Sequence, residues 1–409
     1  MCIRDSYKAV TMGQFNSTLV QDGRLLPGIH GLRGIAAIAV VFFHLVHVGG
    51  LNPPTSFQFI GRDFGYGVHL FFILSAFSLM HSTESRTTAP SWLSDYFVKR
   101  FFRIAPLFYL MIVFWVVVGV VKGAGSKDPA EILLNLTFTF GFVPPSGIVW
   151  GGWSVGVEVI FYAIFPVLLL LVKPHKPSLL LLLLLVVSII VSGALRSVLH
   201  LQGSNVESSS KFDWSYFSFP SNICFFLMGL YVYLVVKFHG RHSTLLRVHA
   251  PIATTAIIAG LLFSDVGLLI YSSARWDIVL WGFGLSVLCA WQANRPSRVI
   301  ASGVLQYFGE RSYSIYLMHP VIIFALKSYL LKIYTLCFPA IGAYSYFICS
   351  SILIVSILPC VEITYRLIEV PGINLGRRLI ASKRIAVITP TLDLESHEYQ
   401  ASSQVRILS

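Results

Sequence analysis

Charged residues are scarce in this chain. Only 12% of its 409 residues are charged, whereas 56% are hydrophobic and the mean hydropathy is +0.75. A soluble globular protein of this length does not need so much apolar material. The shortage of charge therefore excludes the soluble class and predicts a polytopic membrane protein, with one helical domain favoured over several.

The sequence also lacks the short motifs of several enzyme classes. It contains no P-loop, no HExxH zinc motif and no convincing thiolate site. Its six cysteines fall mostly within apolar runs and form no CxxC pair: Cys2, Cys224, Cys289, Cys337, Cys349 and Cys360. Their spacing indicates neither a disulfide framework nor a metal site, so we expect no metal.

Acidic residues are fewer than basic ones, 18 against 30, which gives a net charge of +12. The basic residues lie in short segments between apolar runs, as membrane orientation signals do, so we expect no nucleic-acid partner. If the N-terminus lies inside, 21 of the 30 fall in inside segments and 8 in outside segments. This asymmetry predicts that both termini are cytoplasmic and that the number of spans is even.

Ten apolar runs have polar flanks typical of membrane-spanning helices. They lie at 33–50, 64–81, 106–121, 155–172, 178–199, 218–236, 251–270, 276–292, 312–331 and 342–365. We predict an all-α, polytopic helical bundle of about ten transmembrane helices in the plasma or inner membrane. The membrane domain is expected over 28–382, between a polar arm at 1–27 and a polar, disordered tail at 383–409. The weaker stretch 131–143 is expected to be a half-helix or a re-entrant segment.

The first predicted span carries an arginine at one end and a histidine deep inside. Eleven helical steps separate Arg33 from His44, which places them on one face about 16 Å apart along the axis. Ala36, Ala37 and Val40 lie between them, and such small residues admit either another helix or a slender ligand. A tolerated or snorkelling histidine is the alternative, but ionisable groups inside a membrane usually mark a site.

Two further groups of polar residues have helical spacing. Arg100 and Arg103 are neighbours at i, i+3 on a helix whose Phe101 and Phe102 face the membrane. This segment is either an amphipathic interfacial helix or a pair of cations that binds a phosphorylated ligand. Glu158 lies at the centre of a polar stripe with Ser154 and Tyr162 on an otherwise apolar helix. A carboxylate there either forms a structural ion pair, orients a histidine or binds an acceptor hydroxyl.

A third stripe opens the ninth span with Ser312, Tyr316 and His319. Buried hydroxyls that bond to neighbouring helices explain it as well as a site does. Taken together, the polar groups expected in the membrane are His, Glu, Arg, Tyr and Ser, a set that suits general acid–base transfer of a group to a hydroxyl.

The residues resemble the membrane acyltransferase-3 family, which includes O-antigen and exopolysaccharide O-acetylases. The matching motifs follow in order over most of 25–380: Gly31-Leu32-Arg33-Gly34 with His44, Phe71 to Phe77, Arg100-x-x-Arg103, Trp153-Ser154 with Glu158 and Phe161-Tyr162, Ser312 to Tyr316 with His319-Pro320, and Tyr365 to Glu369 with Pro371. Two departures are Ala76, where glycine is usual, and His30, where many members have aspartate.

The resemblance implies transfer of an acyl group, usually acetyl, from cytoplasmic acyl-CoA to an extracytoplasmic hydroxyl, often on a glycan or a lipid-linked acceptor. Arg33, Arg100 and Arg103 are expected to hold the nucleotide while the pantetheine arm follows the small-residue face toward His44. His44 would take the acceptor's proton, and Glu158 would orient that imidazole. An acetyl-histidine relay is a less favoured variant. Residues assigned to substrate binding are Trp153, Ser154, Tyr162, Tyr316 and His319.

Two other functions fit the same composition. A proton-coupled transporter of a small solute or polysaccharide component would also bury His, Glu and Arg in a bundle, although no internal repeat is evident. An inactive relative that acts as a membrane binding partner is disfavoured by the joint presence of Arg33, His44 and Glu158. Many relatives in the family carry an extra periplasmic hydrolase-like domain, for which this sequence is expected to have no room.

Overall fold

The computed structural model describes residues 26–123, 125, 127–143, 146–172, 179–203, 214–239, 249–263 and 277–383. Throughout these ranges the chain forms helices, turns and short connections. The first eight α-helices are α1 Pro27–His47, α2 Phe59–Asp63, α3 Gly67–Thr83, α4 Trp92–Val121, α5 Pro129–Leu136, α6 Trp153–Val172, α7 Leu179–Gly203 and α8 Trp214–Phe217. The others are α9 Phe219–His239, α10 Ala250–Phe263, α11 Asp277–Asn294, α12 Gly303–Glu310, α13 Ser312–Ile341 and α14 Ser345–Thr364. A π-helical turn, Tyr365–Glu369, follows α14, and helix continues from it to residue 383.

Among the described residues, six helical segments are long and apolar enough to cross a membrane: Pro27–His47, Thr55–Arg86, Trp92–Val121, Trp153–Val172, Phe219–His239 and Ser312–Lys383. The chain is an integral membrane protein with an all-helical architecture. Two shorter apolar helices, Leu179–Leu195 and Ala250–Leu262, fall below that length. The count of ten spans and the cytoplasmic placement of both termini therefore stay predictions. Residues 1–25 and 384–409, which hold nearly all of the predicted arm and tail, lie outside the described residues.

Helix α1 lies between two apolar cores. Ala36 and Val40 belong to the larger core, which α3, α6 and α9 also build, whereas Ala37 and Val41 belong to a second core with α13 and α14. Because a helix places residues three and four positions apart on one side, adjacent residues such as Ala36 and Ala37 can serve different cores. The helix that carries Arg33 and His44 is therefore held from both sides.

Glycines let α1 and α12 approach closely at the Arg33 end. A Cβ on Gly31 would lie 1.7 Å from the carbonyl oxygen of Ile300, and one on Gly309 would lie 1.9 Å from that of His30. Either distance is far below van der Waals contact, so only glycine fits. This contact fixes the start of α1 against α12 and the segment before it.

The structure corrects two expectations about the helix that carries Arg100 and Arg103, one about where it begins and one about the direction of Phe102. The predicted span at 106–121 begins much earlier, at Trp92, so Arg100 and Arg103 belong to the long helix α4 itself. Phe101 is 49% exposed and faces outward as expected. Phe102 instead packs against the C-terminal helix at Gly372 and Gly376. A Cβ on Gly376 would lie 2.9 Å from the Cβ of Phe102. The glycines of the later helix create the room for that ring.

Helix α5 and the loop after it form a compact segment over the predicted 131–143 stretch. The fully buried Asn135 side chain organises it: its amide donates to the carbonyl of Ser146 at 2.7 Å, and its oxygen accepts from the backbone N–H of Ile148 at 3.0 Å. These bonds satisfy loop backbone groups that have no helical partner. They also lead the chain to Trp150, which contacts His44.

Candidate functional site

A polar cavity opens inside the bundle where α1, α3, α4, α6 and α13 meet. It holds about 690 Å³ of empty space, including the part open to solvent. Its lining residues are Arg33, Phe71, Phe72, Ser75, Arg100, Arg103, Ile104, Ser154, Val155, Glu158, Tyr162, Ser312, Tyr313 and Tyr316. Seven of the ten residues predicted for the site from the sequence thus come together in one cavity.

The three arginines of the cavity differ in their partners. Arg103 forms an ion pair with Glu369 at 2.6 Å, and Glu369 is 1% exposed. Arg33 and Arg100 have no hydrogen-bond or ion-pair partner among the described residues, and the Nε of Arg100 is buried. Unpaired cations inside a membrane bundle are costly and call for an anionic ligand.

Glu158 faces these cations but is held by hydroxyl groups. Its Oε1 accepts hydrogen bonds from the Ser75 hydroxyl and, at 2.5 Å, from the Tyr162 hydroxyl. The guanidinium carbon of Arg100 lies 5.8 Å from the centre of the Tyr162 ring. The bonded hydroxyls stabilise a carboxylate and fix its position beside the arginines.

His44 lies at the other end of α1 and is paired with a second histidine. Its Nδ1 is 2.8 Å from Nε2 of His319, and Nδ1 of His319 is 3.0 Å from the carbonyl oxygen of Ile315. The two rings stack with centroids 5.0 Å apart. Trp150 meets His44 edge-on at 5.1 Å. His319 is fully buried, whereas His44 is only half-buried.

The expected pair between His44 and Glu158 is not what the structure shows. The carboxylate is bonded to Ser75 and Tyr162, and the imidazole that orients His44 belongs to His319. The physical reason is helix packing, because α13 and not α6 presents a ring to His44. His319, which we had assigned to substrate binding, is thus a partner of His44. The assignment of Glu158 to catalysis stays a prediction.

Tyr316 joins the two polar regions. Its hydroxyl donates to the carbonyl of Gly151 at 2.6 Å and accepts from the Ser154 hydroxyl at 2.7 Å. Its ring lies 5.8 Å from that of His319 and also lines the cavity. The hydroxyls of Tyr316 and Ser154 are therefore used to tie α13 to the start of α6.

Two other sequence expectations have a different outcome. Trp153 does not line the cavity and packs in the core against Phe72 and Phe217, with ring centroids 6.0 and 4.9 Å away. The small-residue face of α1 is closed to a ligand: Ala36 and Val40 are 1% exposed, and a Cβ on Gly67 would lie 2.8 Å from the Ala36 carbonyl. The start of α3 covers that face, as the helix-packing alternative requires.

Four residues of these regions have no predicted role in the site, although three of them lie in the quoted motifs: Ser75, Trp150, Tyr313 and Glu369. Ser75 and Tyr313 lie inside apolar motifs, where a single hydroxyl carries little signal. Glu369 could have been noticed as an isolated acid next to a predicted span. Within the described ranges, no group of three or more His, Cys, Asp or Glu residues is placed to hold a metal ion.

Comparison with known proteins identifies the family of the chain. A family model described as an acyltransferase domain matches residues 26–358. The chain belongs to the acyltransferase-3 family. Both the Arg33 cavity and the His44–His319 pair lie within the matched residues.

Its relatives at low identity include named acetyltransferases. A Staphylococcus aureus (strain COL) protein with a provisional O-acetyltransferase name is 25% identical over 381 residues, which is 85% of this chain and 57% of that protein. The peptidoglycan O-acetyltransferase OatA of Listeria monocytogenes (serovar 1/2a) is 24% identical over 327 residues, 73% of this chain and 50% of the enzyme. A provisionally named acetyltransferase of Acidianus two-tailed virus is 26% identical over 296 residues, 72% of this chain and 82% of that protein. The chain thus spans about half the length of the two bacterial relatives. No solved structure matches it.

Proposed function

We propose that the protein is a membrane O-acyltransferase that moves an acyl group, acetyl above all, from cytoplasmic acyl-CoA to a hydroxyl of an extracytoplasmic glycan or lipid-linked acceptor. The observation that carries the proposal is the presence of two different polar sites along α1. Two arginines without hydrogen-bond or ion-pair partners among the described residues lie in a cavity near its start, and the half-buried His44, paired with the buried His319, lies about 16 Å further on.

The cavity suits the anionic part of acyl-CoA. Planar guanidinium groups bind phosphate oxygens through paired hydrogen bonds, and Arg33 and Arg100 have this capacity unused. Since the small-residue face of α1 is covered, we place the ligand's path along the cavity wall formed by Phe71, Ser154 and Tyr316. This wall leads from the arginines toward the ring of His319.

The histidine pair suits proton transfer. His44 takes the proton of the acceptor hydroxyl as its oxygen attacks the thioester carbonyl, so that a C–O bond forms. The tetrahedral intermediate then collapses with cleavage of the C–S bond. The thiolate that leaves receives the proton from His44, which gives free CoA and the O-acyl product. Direct transfer needs no acyl-enzyme, so we favour it over an acetyl-histidine relay.

The charge asymmetry of the sequence supports our placement of the Arg33 end on the cytoplasmic side. Relatives named for O-acetylation support a hydroxyl acceptor, and the Listeria relative named for peptidoglycan supports a cell-wall glycan as one member of that class.

The test uses inside-out membrane vesicles supplied with acetyl-CoA that is labelled in the acetyl group. Wild type, His44→Ala and His47→Ala would be compared for label in glycan or lipid and for release of free CoA. His47 is the matched control because it lies on the same helix and is exposed, with its ring bonded to the carbonyl of Gly61.

We expect His44→Ala to lower transfer by about 10³-fold, within the range that acid–base catalysis contributes, while His47→Ala stays near wild type. Equal transfer by wild type and His44→Ala would refute the mechanism. Well-folded wild type that neither binds CoA nor transfers label would favour a proton-coupled transporter instead.

A further inference from the structure

We infer that His319 is a positioning residue that fixes the tautomer of His44, so that Nε2 of His44 is the atom that receives the acceptor's proton. The inference rests on the proposed transfer chemistry and deepens it by naming the reacting nitrogen. It follows from one chain of hydrogen bonds that ends on a backbone carbonyl.

The carbonyl of Ile315 determines the first step. A carbonyl oxygen only accepts hydrogen bonds, so Nδ1 of His319, 3.0 Å away, must carry the proton and donate it. A neutral imidazole has one N–H group, which leaves Nε2 of His319 as an acceptor. Because its side chain is fully buried in the bundle, the neutral form is the one that avoids a buried charge.

The tautomer of His44 follows from the acceptor on His319. Nδ1 of His44 lies 2.8 Å from that Nε2 and therefore donates to it. Nε2 of His44 then carries no proton and keeps its lone pair, and no described residue donates to it. The half-buried ring presents this nitrogen as a ready base beside Trp150.

His47, one turn further along α1, shows that the tautomer is set locally. Its Nε2 lies 2.7 Å from the carbonyl oxygen of Gly61, so Nε2 is the protonated atom in that ring. His44 and His47, on the same helix, thus hold opposite tautomers, and the difference is the partner that each ring meets. For His44, the acceptor is Nε2 of His319 and it faces Nδ1. For His47, the acceptor is the carbonyl oxygen of Gly61 and it faces Nε2.

A neutral partner has a consequence for the reaction. A carboxylate in this place would bring a further charge into the membrane interior, whereas an imidazole orients His44 without one. When His44 takes the acceptor proton, its positive charge has no counter-charge on His319. The proton therefore returns readily to the leaving thiolate, as one turnover requires.

Two variants of His319 form a matched pair. In His319→Gln the side-chain oxygen reaches the position of Nε2 and can still accept from His44, whereas in His319→Asn the amide is too short to do so. We expect labelled transfer to fall by about 10³-fold in His319→Asn and by less than about tenfold in His319→Gln, with the KM for acyl-CoA unchanged in both. A purely structural role of His319 would make the two variants similar.

The tautomer itself is read by ¹⁵N NMR of protein labelled in histidine, with the resonances of His44 identified by their loss in His44→Ala. We expect Nδ1 of His44 to be protonated and Nε2 unprotonated, the reverse for His47, and loss of this preference at His44 alone in His319→Asn. A wild-type spectrum with protonated Nε2 on His44 overturns the inference, as does wild-type transfer by His319→Asn.

Failure of the proposed function gives a different pattern. In that case wild type transfers no label in the vesicle assay, although the NMR spectrum still reports which nitrogen of His44 is protonated. If His319→Asn fails to fold, the spectrum of the wild-type protein and the rate of His319→Gln decide the question.

Discussion

The two polar regions of the bundle are built on one helix and differ in how they handle charge. Around Arg33 the protein brings three guanidinium groups and a carboxylate into a cavity and leaves two of the cations without partners. Around His44 it places two imidazoles that need no charge to bond to each other. In the proposed mechanism, recognition of an anion and movement of a proton are therefore separated along α1, with Tyr316 between them.

A second contrast lies inside the cavity. Arg103 is neutralised by the buried Glu369, while Arg33 and Arg100 are not paired. Residues of the same type in the same cavity therefore have different roles: one holds the helices together and two are available to a ligand. The sequence motif treats Arg100 and Arg103 alike, and only their partners distinguish them.

The largest effect is expected when the paired arginine is removed. In Arg103→Gln the carboxylate of Glu369 loses its ion pair while it remains bonded to Ser314 at 2.8 Å. A buried charge without its partner costs about 3–5 kcal/mol of folding free energy, so the melting temperature in detergent and the folded yield should fall sharply. Adding Glu369→Gln should restore most of the loss. Arg103→Gln that melts like wild type but no longer binds acyl-CoA would place Arg103 in the anion site instead.

A smaller effect, confined to ligand binding, is expected at the unpaired arginines. Arg33→Gln should raise the KM for acyl-CoA by about 10- to 100-fold, the worth of one charge-assisted hydrogen bond, with kcat and melting temperature near wild type. Arg377→Gln is the matched control, because Arg377 is exposed outside the cavity. Steady-state kinetics with varied acyl-CoA measures both variants. An unchanged KM in Arg33→Gln would mean that the anion is bound elsewhere.

The smallest effect is expected at the residue between the regions. Tyr316→Phe removes the hydroxyl that donates to Gly151 and accepts from Ser154, but it keeps the ring beside His319. One neutral hydrogen bond contributes about 0.5–1.5 kcal/mol, so kcat should fall by about three- to tenfold with the KM for acyl-CoA unchanged. A loss as large as that of His44→Ala would show instead that the Tyr316 hydroxyl reaches the reacting atoms.

The sequence identified both ends of the site because ionisable residues in an apolar run are conspicuous. Arg33, His44 and Glu158 are evident for that reason, and helical periodicity places Arg33 and His44 on one face of α1. The membrane location follows from composition, and the all-helical class follows from the lengths of the apolar runs. Arg100 and Arg103 were also found, although the helix that carries them is longer than the apolar run.

The partners of these residues could not be derived in the same way. His319 lies 275 positions from His44, and Glu369 is similarly distant from Arg103. Periodicity reports which face of a helix a residue occupies but not which helix packs there. For the same reason Glu158 was paired with the wrong group, and Ala36 and Val40 were placed along a ligand path that α3 covers.

The most direct test of the separation of roles measures acyl-CoA binding and CoA release on the same purified variants. His44→Ala should bind acetyl-CoA with the wild-type Kd but release no free CoA when acceptor-containing membrane is supplied. Arg33→Gln should bind it about 10- to 100-fold more weakly, and should recover near-wild-type release at saturating acetyl-CoA. If folded His44→Ala has lost binding, or if Arg33→Gln binds like wild type, recognition and proton transfer are not divided between the two ends of α1.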